Sequence, residues 1–225
     1  MPPWTTTDPL WEVVVAERAR LLADLEHLTP DQWAAPSMCG RWSVEDVVAH
    51  LTAAASTGRW AWVRSIVGAR FDPDVHNDRR LAEHRGPTPA RTLDAFRQAV
   101  PSRVAATGDV WAWLGEVVVH GADVREPLGI TTVPAPAAVE VVAAGYARRD
   151  FAVRSRTVAR GLTLVADDGG FRTGDGPLVR GATLDLVLAM AGRPAAVGRL
   201  TGDGVPELAA RVTPAVGAGD PSGGT

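Results

Sequence analysis

Apolar residues recur at helical spacing through the first half of the chain. From about Pro9 to Leu28, Trp11, Val14, Val15, Ala19, Leu22 and Leu25 form an i, i+3, i+4 stripe that predicts an amphipathic helix. A second begins at Ser43, where Ser-Val-Glu-Asp reads as an N-cap followed by acidic residues, and runs past His50 and Trp60 to about Ala69. Asp72-Pro73 and Gly86-Pro87 mark a loop, followed by a third helix from about Thr88 to Ala106. The fourth starts after Gly108-Asp109 and stops near Glu126-Pro127, with Gly129 beyond. Four helices joined in this way predict a bundle.

The pattern changes after Ile130. Thr131 to Pro136, with two prolines, reads as a linker, and a helix is expected from Ala137 to about Val158. Short apolar runs at Leu162–Ala166, Gly170–Thr173 and Pro177–Arg180 predict strands, the first two joined by an Asp168-Gly169-Gly170 turn. Thr183 to Ala191 and Pro206 to Val212 predict two more helices, and the Gly/Pro/Ser-rich tail from Thr213 reads as disordered. The expected fold class is therefore α+β: a helical bundle over 1–130, a small α/β unit over 131–212, and a tail over 213–225. All eight tryptophans lie between Trp4 and Trp113, which supports two differently built regions.

Composition narrows the function. A net charge of −3 gives no basic footprint for nucleic acid or for an anionic membrane. No apolar run reaches the roughly 20 residues that span a bilayer, and the N-terminus does not read as a signal peptide. The lone Cys39 excludes an internal disulfide and fits a reducing cytoplasm. The 23 basic residues are all arginine; without lysine, Schiff-base chemistry and the phosphate-loop lysine are excluded. The partners to expect are small molecules, for a monomer or homodimer.

The candidate chemistry sits in the apolar stretch Trp113-Leu-Gly-Glu-Val-Val-Val-His-Gly121. Glu116 and His120 are four apart, so they project from one helix face about 6 Å apart along the axis. Two such side chains are costly to bury without a partner, and imidazole with carboxylate suits a divalent first-row ion, zinc among them. His50 is similarly set among apolar residues of the second helix, and a bundle can bring the two faces together. Three protein ligands with a fourth position open is the pattern of a catalytic zinc site. A satisfied core histidine and a solvated Glu–His pair are the alternatives on spacing alone.

Two segments carry a resemblance. Cys39-Gly-Arg-Trp-Ser-Val-Glu-Asp-Val-Val-Ala-His-Leu51 and Gly115-Glu-Val-Val-Val-His-Gly-Ala-Asp-Val-Arg-Glu-Pro-Leu-Gly129 resemble the mycothiol-dependent maleylpyruvate isomerase family of DinB-like four-helix metalloenzymes. Gly181-Ala-Thr-Leu-Asp-Leu-Val-Leu-Ala-Met-Ala-Gly-Arg193 is similar, more loosely, to that family's sterol-carrier-like C-terminal domain. The resemblance implies His50, Glu116 and His120 as zinc ligands, mycothiol as thiol cosubstrate, and an electrophilic small molecule as substrate of isomerisation or S-transfer. A DinB-like metal-dependent hydrolase and a non-catalytic, metal-stabilised binding module are the rival functions.

Further residues take secondary roles. Asp123, three residues past His120, is the candidate acceptor that orients it, against the alternative of a polar residue in the last helical turn. Arg80, with Arg79 beside it, and Arg193 from the second region are candidates for gripping a substrate carboxylate; an exposed loop and a helix-end arginine are the bland readings. Cys39 is read as a semi-buried structural thiol, His27 as capping the first helix, and His76 and His84 as solvated. Trp60, Trp62, Trp111 and Trp113 are expected to pack the bundle.

Overall fold

Proline opens helices in this protein more often than it ends them. Pro30, Pro73, Pro89, Pro136 and Pro194 each stand at the first residue of a helix. There the missing N–H has no intrahelical partner and the fixed φ suits the first turn. The computed structural model describes residues 9–40, 42–58, 60 and 73–212. Two compact units make up the chain, Met1–Val142 and Ala143–Thr225.

The first unit carries α1 (Leu10–Leu25), α2 (Pro30–Ala34), α3 (Val44–Ser56), α4 (Pro73–His84), α5 (Pro89–Ala99) and α6 (Val110–Arg125). Capping boxes start two of them: Thr29 with Gln32 for α2, and Ser43 with Asp46 for α3. Helix α1 packs against α5 and α6, and α3 packs against α4, α5 and α6. Leu21 and Leu25 of α1, Val44, Val47, Val48 and Leu51 of α3, Phe96 of α5 and Val124 of α6 form a single core with Trp33 and Val100. Each large side chain buried there contributes about 1.5–3 kcal/mol.

Several boundaries differ from the sequence expectation. The buried line of α1 is Trp11, Val14, Leu21 and Leu25, with Glu17 and Arg18 also buried, while Ala19 is exposed. The two charged residues tolerate burial because they are satisfied. Glu17 accepts the Ala135 N–H at 3.0 Å, and Arg18 donates to the Ser102 carbonyl at 2.8 Å. Burial pulls the Arg18 guanidinium down to about 10. Helix α3 stops at Ser56, since Thr57 is already extended (φ −92°, ψ 105°); the remainder of the expected second helix falls mainly outside the described residues. The expected loop near Pro73 is instead α4, which Pro73 starts. Helix α5 ends at Ala99 and not near Ala106: Val100 is still helical, but Pro101 has no N–H to continue the ladder.

The turn from α4 to α5 is held tightly. Glu45 accepts from Thr92 Oγ1 and from Arg85, each at 2.8 Å, and Thr92 Oγ1 also receives the Gly86 N–H at 2.9 Å. A Cβ at position 86 would lie 2.6 Å from the Arg91 Cβ and 2.8 Å from the Thr92 nitrogen, so glycine is required by close approach. The expected linker is tied down within the same unit: Thr132 Oγ1 donates to Asp24 at 2.8 Å, and Asp24 also receives Arg125 Nε at 2.7 Å.

Helix α7 (Pro136–Arg148) crosses the division between the units. The single helix expected to Val158 is broken, and α8 (Ser155–Ala159) is separate. Asp150 accepts the Thr157 N–H at 3.0 Å, satisfying one of the N–H groups left free in the first turn of α8. In the second unit β1 (Thr163–Ala166), β2 (Arg172–Thr173) and β3 (Leu178–Gly181) form a sheet of order β2-β1-β3. Strand β1 is antiparallel to β2 and parallel to β3, with Leu164 opposite Val179. Helices α9 (Thr183–Met190), α10 (Pro194–Val197) and α11 (Val205–Val212) complete it, and Leu186, Leu188 and Leu208 are fully buried. Asp168 accepts both the Thr183 N–H and hydroxyl, starting α9. The α+β class expected from the pattern is what the chain adopts. The tail expected to be disordered lies outside the described residues. No helix among them is long and apolar enough to cross a membrane.

Candidate metal centre

Helix α6 supplies two of the three candidate ligands from one face, and α3 supplies the third. The Glu116 Oε2 lies 3.1 Å from His50 Nε2 and 3.4 Å from His120 Nε2. One donor atom from each of the three residues falls within 4.8 Å of the others. Ligand bonds of about 2.0–2.2 Å at a tetrahedral angle place donors roughly 3.3–3.6 Å apart, so this set fits a first-row divalent ion. The imidazole rings stand edge to face, with centroids 4.9 Å apart.

Asp123 faces His120 from the next turn of α6. Its Oδ2 is 2.9 Å from His120 Nδ1, and the residue is fully buried. A carboxylate only accepts, so Nδ1 donates to Asp123, and Nε2 is the nitrogen left to face Glu116 and His50. Burial opposes charge on the Glu116 carboxyl, but hydrogen bonds from His120 and His50 outweigh it and hold the carboxyl below the usual range. Burial likewise opposes charge on His120, yet its bonds to Asp123, Cys39 and Glu116 raise it well above an ordinary histidine. His50 goes the other way: burial dominates, and its bond to Glu116 only partly offsets it.

Residues 36–40 and 42–43 lie against the centre. Ser37 donates from both N–H and hydroxyl to the Trp42 carbonyl, at 3.0 and 2.7 Å, and Trp42 N–H donates to the Cys39 carbonyl at 3.1 Å. Gly40 takes φ +59°, a left-handed conformation that favours glycine. The Met38 N–H donates to the Asp123 carbonyl at 3.0 Å, fastening the loop to α6. The loop brings in two side chains. Trp42 lies 4.9 Å from His50 and 6.3 Å from His120 between ring centroids. Cys39 hydrogen-bonds His120 and forms a second potential ligand group with His120 and Asp123. Its sequence reading as a plain structural thiol missed that contact, which arises because the loop doubles back onto α6.

The remaining candidates are placed more variously. Arg80 is in α4, not in a loop; Nη2 donates to Thr57 Oγ1, Nη1 pairs with Glu83, and the buried Nε has no acceptor among the described residues. Arg79 is exposed. Arg193 belongs to the second unit, where Nη1 donates to the Ala191 carbonyl at 2.7 Å. His84, in the last turn of α4, bonds through Nδ1 to the Arg80 carbonyl at 2.9 Å, and His27 is exposed past α1. The His76 side chain and Trp62 lie outside what is described. Trp60 is 72% exposed and so does not pack the bundle, whereas the Trp113 indole donates to the Thr107 carbonyl.

Comparison with known proteins adds a family. Residues 14–113 match the family model described as the mycothiol maleylpyruvate isomerase N-terminal domain. That stretch contains His50, while Glu116 and His120 follow just past its end. No protein of curated function matches the sequence. Two solved structures are similar: a crystal structure of the mycothiol-dependent maleylpyruvate isomerase (16% identity, TM-score 0.59) and one of a histidine-to-alanine mutant (14%, 0.58). Each alignment covers 86% of this chain and 91% of the other. At such identities the likeness is one of fold.

Proposed function

We propose, from the match of residues 14–113 to the mycothiol maleylpyruvate isomerase N-terminal domain, that the chain is a cytoplasmic, metal-dependent enzyme of that family using mycothiol as cosubstrate. Its substrate is an electrophilic small acid resembling maleylpyruvate. The observation that carries the reading is the convergence of His50 Nε2, Glu116 Oε2 and His120 Nε2. A divalent ion held there, zinc being apt, supplies Lewis acidity and favours the deprotonated form of a thiol near neutral pH.

The chain's own residues prepare that chemistry. Glu116 stays ionised between the two imidazoles and contributes one negative charge. Asp123 engages the Nδ1 proton of His120, so Nε2 is the nitrogen an ion would take once its proton is lost. The apolar neighbours Val117, Val119 and Ala49 are buried and keep water from the backbone beneath the ligands. The thiol sulfur then adds to an activated cis double bond, which becomes a single bond and rotates. Elimination re-forms the double bond in the trans isomer and returns the thiol; release before elimination is S-transfer. Arg80, whose buried Nε has no acceptor among the described residues, is proposed to meet a substrate carboxylate.

The test begins with metal analysis of the purified chain, followed by turnover of cis-enoyl acids and other electrophiles with a panel of thiols. One ion per chain and turnover only with a low-molecular-weight thiol are expected. Thiol-independent turnover would favour a hydrolase, and stoichiometric metal without turnover would favour a binding module. One ion retained in both His50→Ala and His120→Ala would overturn the ligand assignment.

A further inference from the structure

An imidazole ligand needs its ring plane fixed, usually by a hydrogen bond from the nitrogen that does not face the ion. His120 has that bond, from Nδ1 to Asp123 at 2.9 Å. His50 does not. Among the described residues its only side-chain hydrogen bond runs from Nε2 to Glu116, on the side that would face an ion. What abuts the His50 ring is Trp42, at 4.9 Å between centroids and tilted by 41°. The same indole reaches His120 at 6.3 Å with a 37° tilt, so one aromatic group touches both imidazole ligands.

We propose that Trp42 is a positioning residue of the centre, holding the His50 ring by packing where Asp123 holds the His120 ring by a hydrogen bond. The inference rests on the metal-centre reading above and deepens it. The indole is suited to the task because its own place is over-determined. Its residue precedes Ser43, the N-cap whose box with Asp46 starts α3, so its backbone is tied to the helix that carries His50. Its carbonyl accepts two bonds from Ser37, and its N–H is spent on Cys39. The half-buried ring packs against the bundle core. The loop is in turn fastened to α6 by Met38 and Asp123. Indole contact, loop and both ligand helices therefore form one mechanically connected unit, and an aromatic ring of this size supplies extensive contact area with only two side-chain torsions to restrain.

The experiment uses the full chain with Zn2+ or Co2+ alone, so that its readout does not depend on turnover. Zn2+ affinity is measured by chelator competition, and the coordination sphere is read from Co2+ absorption, for wild type, Trp42→Phe, Trp42→Leu and Trp42→Met. The two apolar replacements without a ring guard against one variant failing to fold, and metal-free melting checks all of them. Loss of a ligand-orienting partner typically weakens metal binding ten- to a hundredfold. That loss, with an altered Co2+ spectrum, is expected for the folded Leu and Met variants, while Phe retains both properties. Wild-type affinity and spectrum in a folded Leu or Met variant overturn the proposal. Equal weakening in Phe, Leu and Met overturns it too, since a ring would then count for nothing. A wild-type chain that takes up no ion is a distinct result, because it removes the metal-centre reading itself.

Discussion

Glu116 on α6 meets His50 on α3 across 66 positions of sequence, with 3.1 Å between Oε2 and Nε2. The same oxygen lies 3.4 Å from His120 Nε2. One carboxylate thus joins two helices that share no local sequence relation, and the polar contact sits beside buried valines. The expectations below follow from that geometry and from the chain around it.

Glu116→Gln keeps the shape and removes the charge. Zn2+ affinity should fall by at least a hundredfold, because the neutral amide loses the attraction of an anionic ligand in a poorly solvated site. Chelator competition checks this, and the metal-free variant should still show the helical circular dichroism of the wild type. An affinity within a few-fold of wild type would sink the assignment of Glu116 as a ligand.

Asp123→Ala deletes the acceptor of the His120 Nδ1 proton. A ten- to hundredfold loss of metal affinity is expected, accompanied by about 1–3 kcal/mol of destabilisation from the donor left without its partner. Urea denaturation of the metal-free variant measures the second effect. Asp123→Asn should fall between Ala and wild type, because its carbonyl oxygen still accepts.

The metal-free chain should lose stability as pH rises above the ordinary histidine range. His120 is raised in the folded chain. Its protonated form is therefore favoured by folding, and that contribution is complete below the unfolded pKa and lost as pH rises through the folded one. Metal binding needs the neutral ring, so Zn2+ affinity should increase over the same interval. Melting temperature and chelator competition against pH check the two opposite trends; parallel trends would contradict the raised His120.

Phe96→Ala tests the core that sets the α1–α3–α5–α6 arrangement. The ring is fully buried, and truncating such a residue costs about 3–5 kcal/mol through lost transfer energy and the cavity left behind. The urea midpoint should fall accordingly. A loss below about 1 kcal/mol would mean that α5 is not integral to the bundle, since such small effects are typical of surface positions.

Much of this could be read directly from residue order. The Glu116–His120 pair needs only helical spacing, and helix α6 matches its expected limits because Asp109 and Pro127 bracket an uninterrupted apolar run. Ser43 announced α3 by its cap. The short strands were legible from β-branched and apolar runs between glycines. Proline misled the reading at Pro73, where it starts a helix that was expected to be a loop. The period of α1 misled it at Ala19, because burial there follows hydrogen-bonded Glu17 and Arg18 in preference to the apolar residue.

The sequence by itself determined which side chains bear chemistry and which of them share a helix face, since both follow from residue type and a 3.6-residue turn. His50 and Asp123 were already candidates from the family motif and from position, but only the tertiary structure sets His50 Nε2 at 3.1 Å from Glu116 and Asp123 Oδ2 at 2.9 Å from His120 Nδ1. It also decided that Trp42 and Cys39 stand against the ligands. Those contacts depend on how the segment carrying Cys39 and Trp42 is fastened to α6 through Met38, and on the packing of α3 against α6. No local period encodes either, because each is chosen by the burial and hydrogen-bond satisfaction of partners distant in the chain.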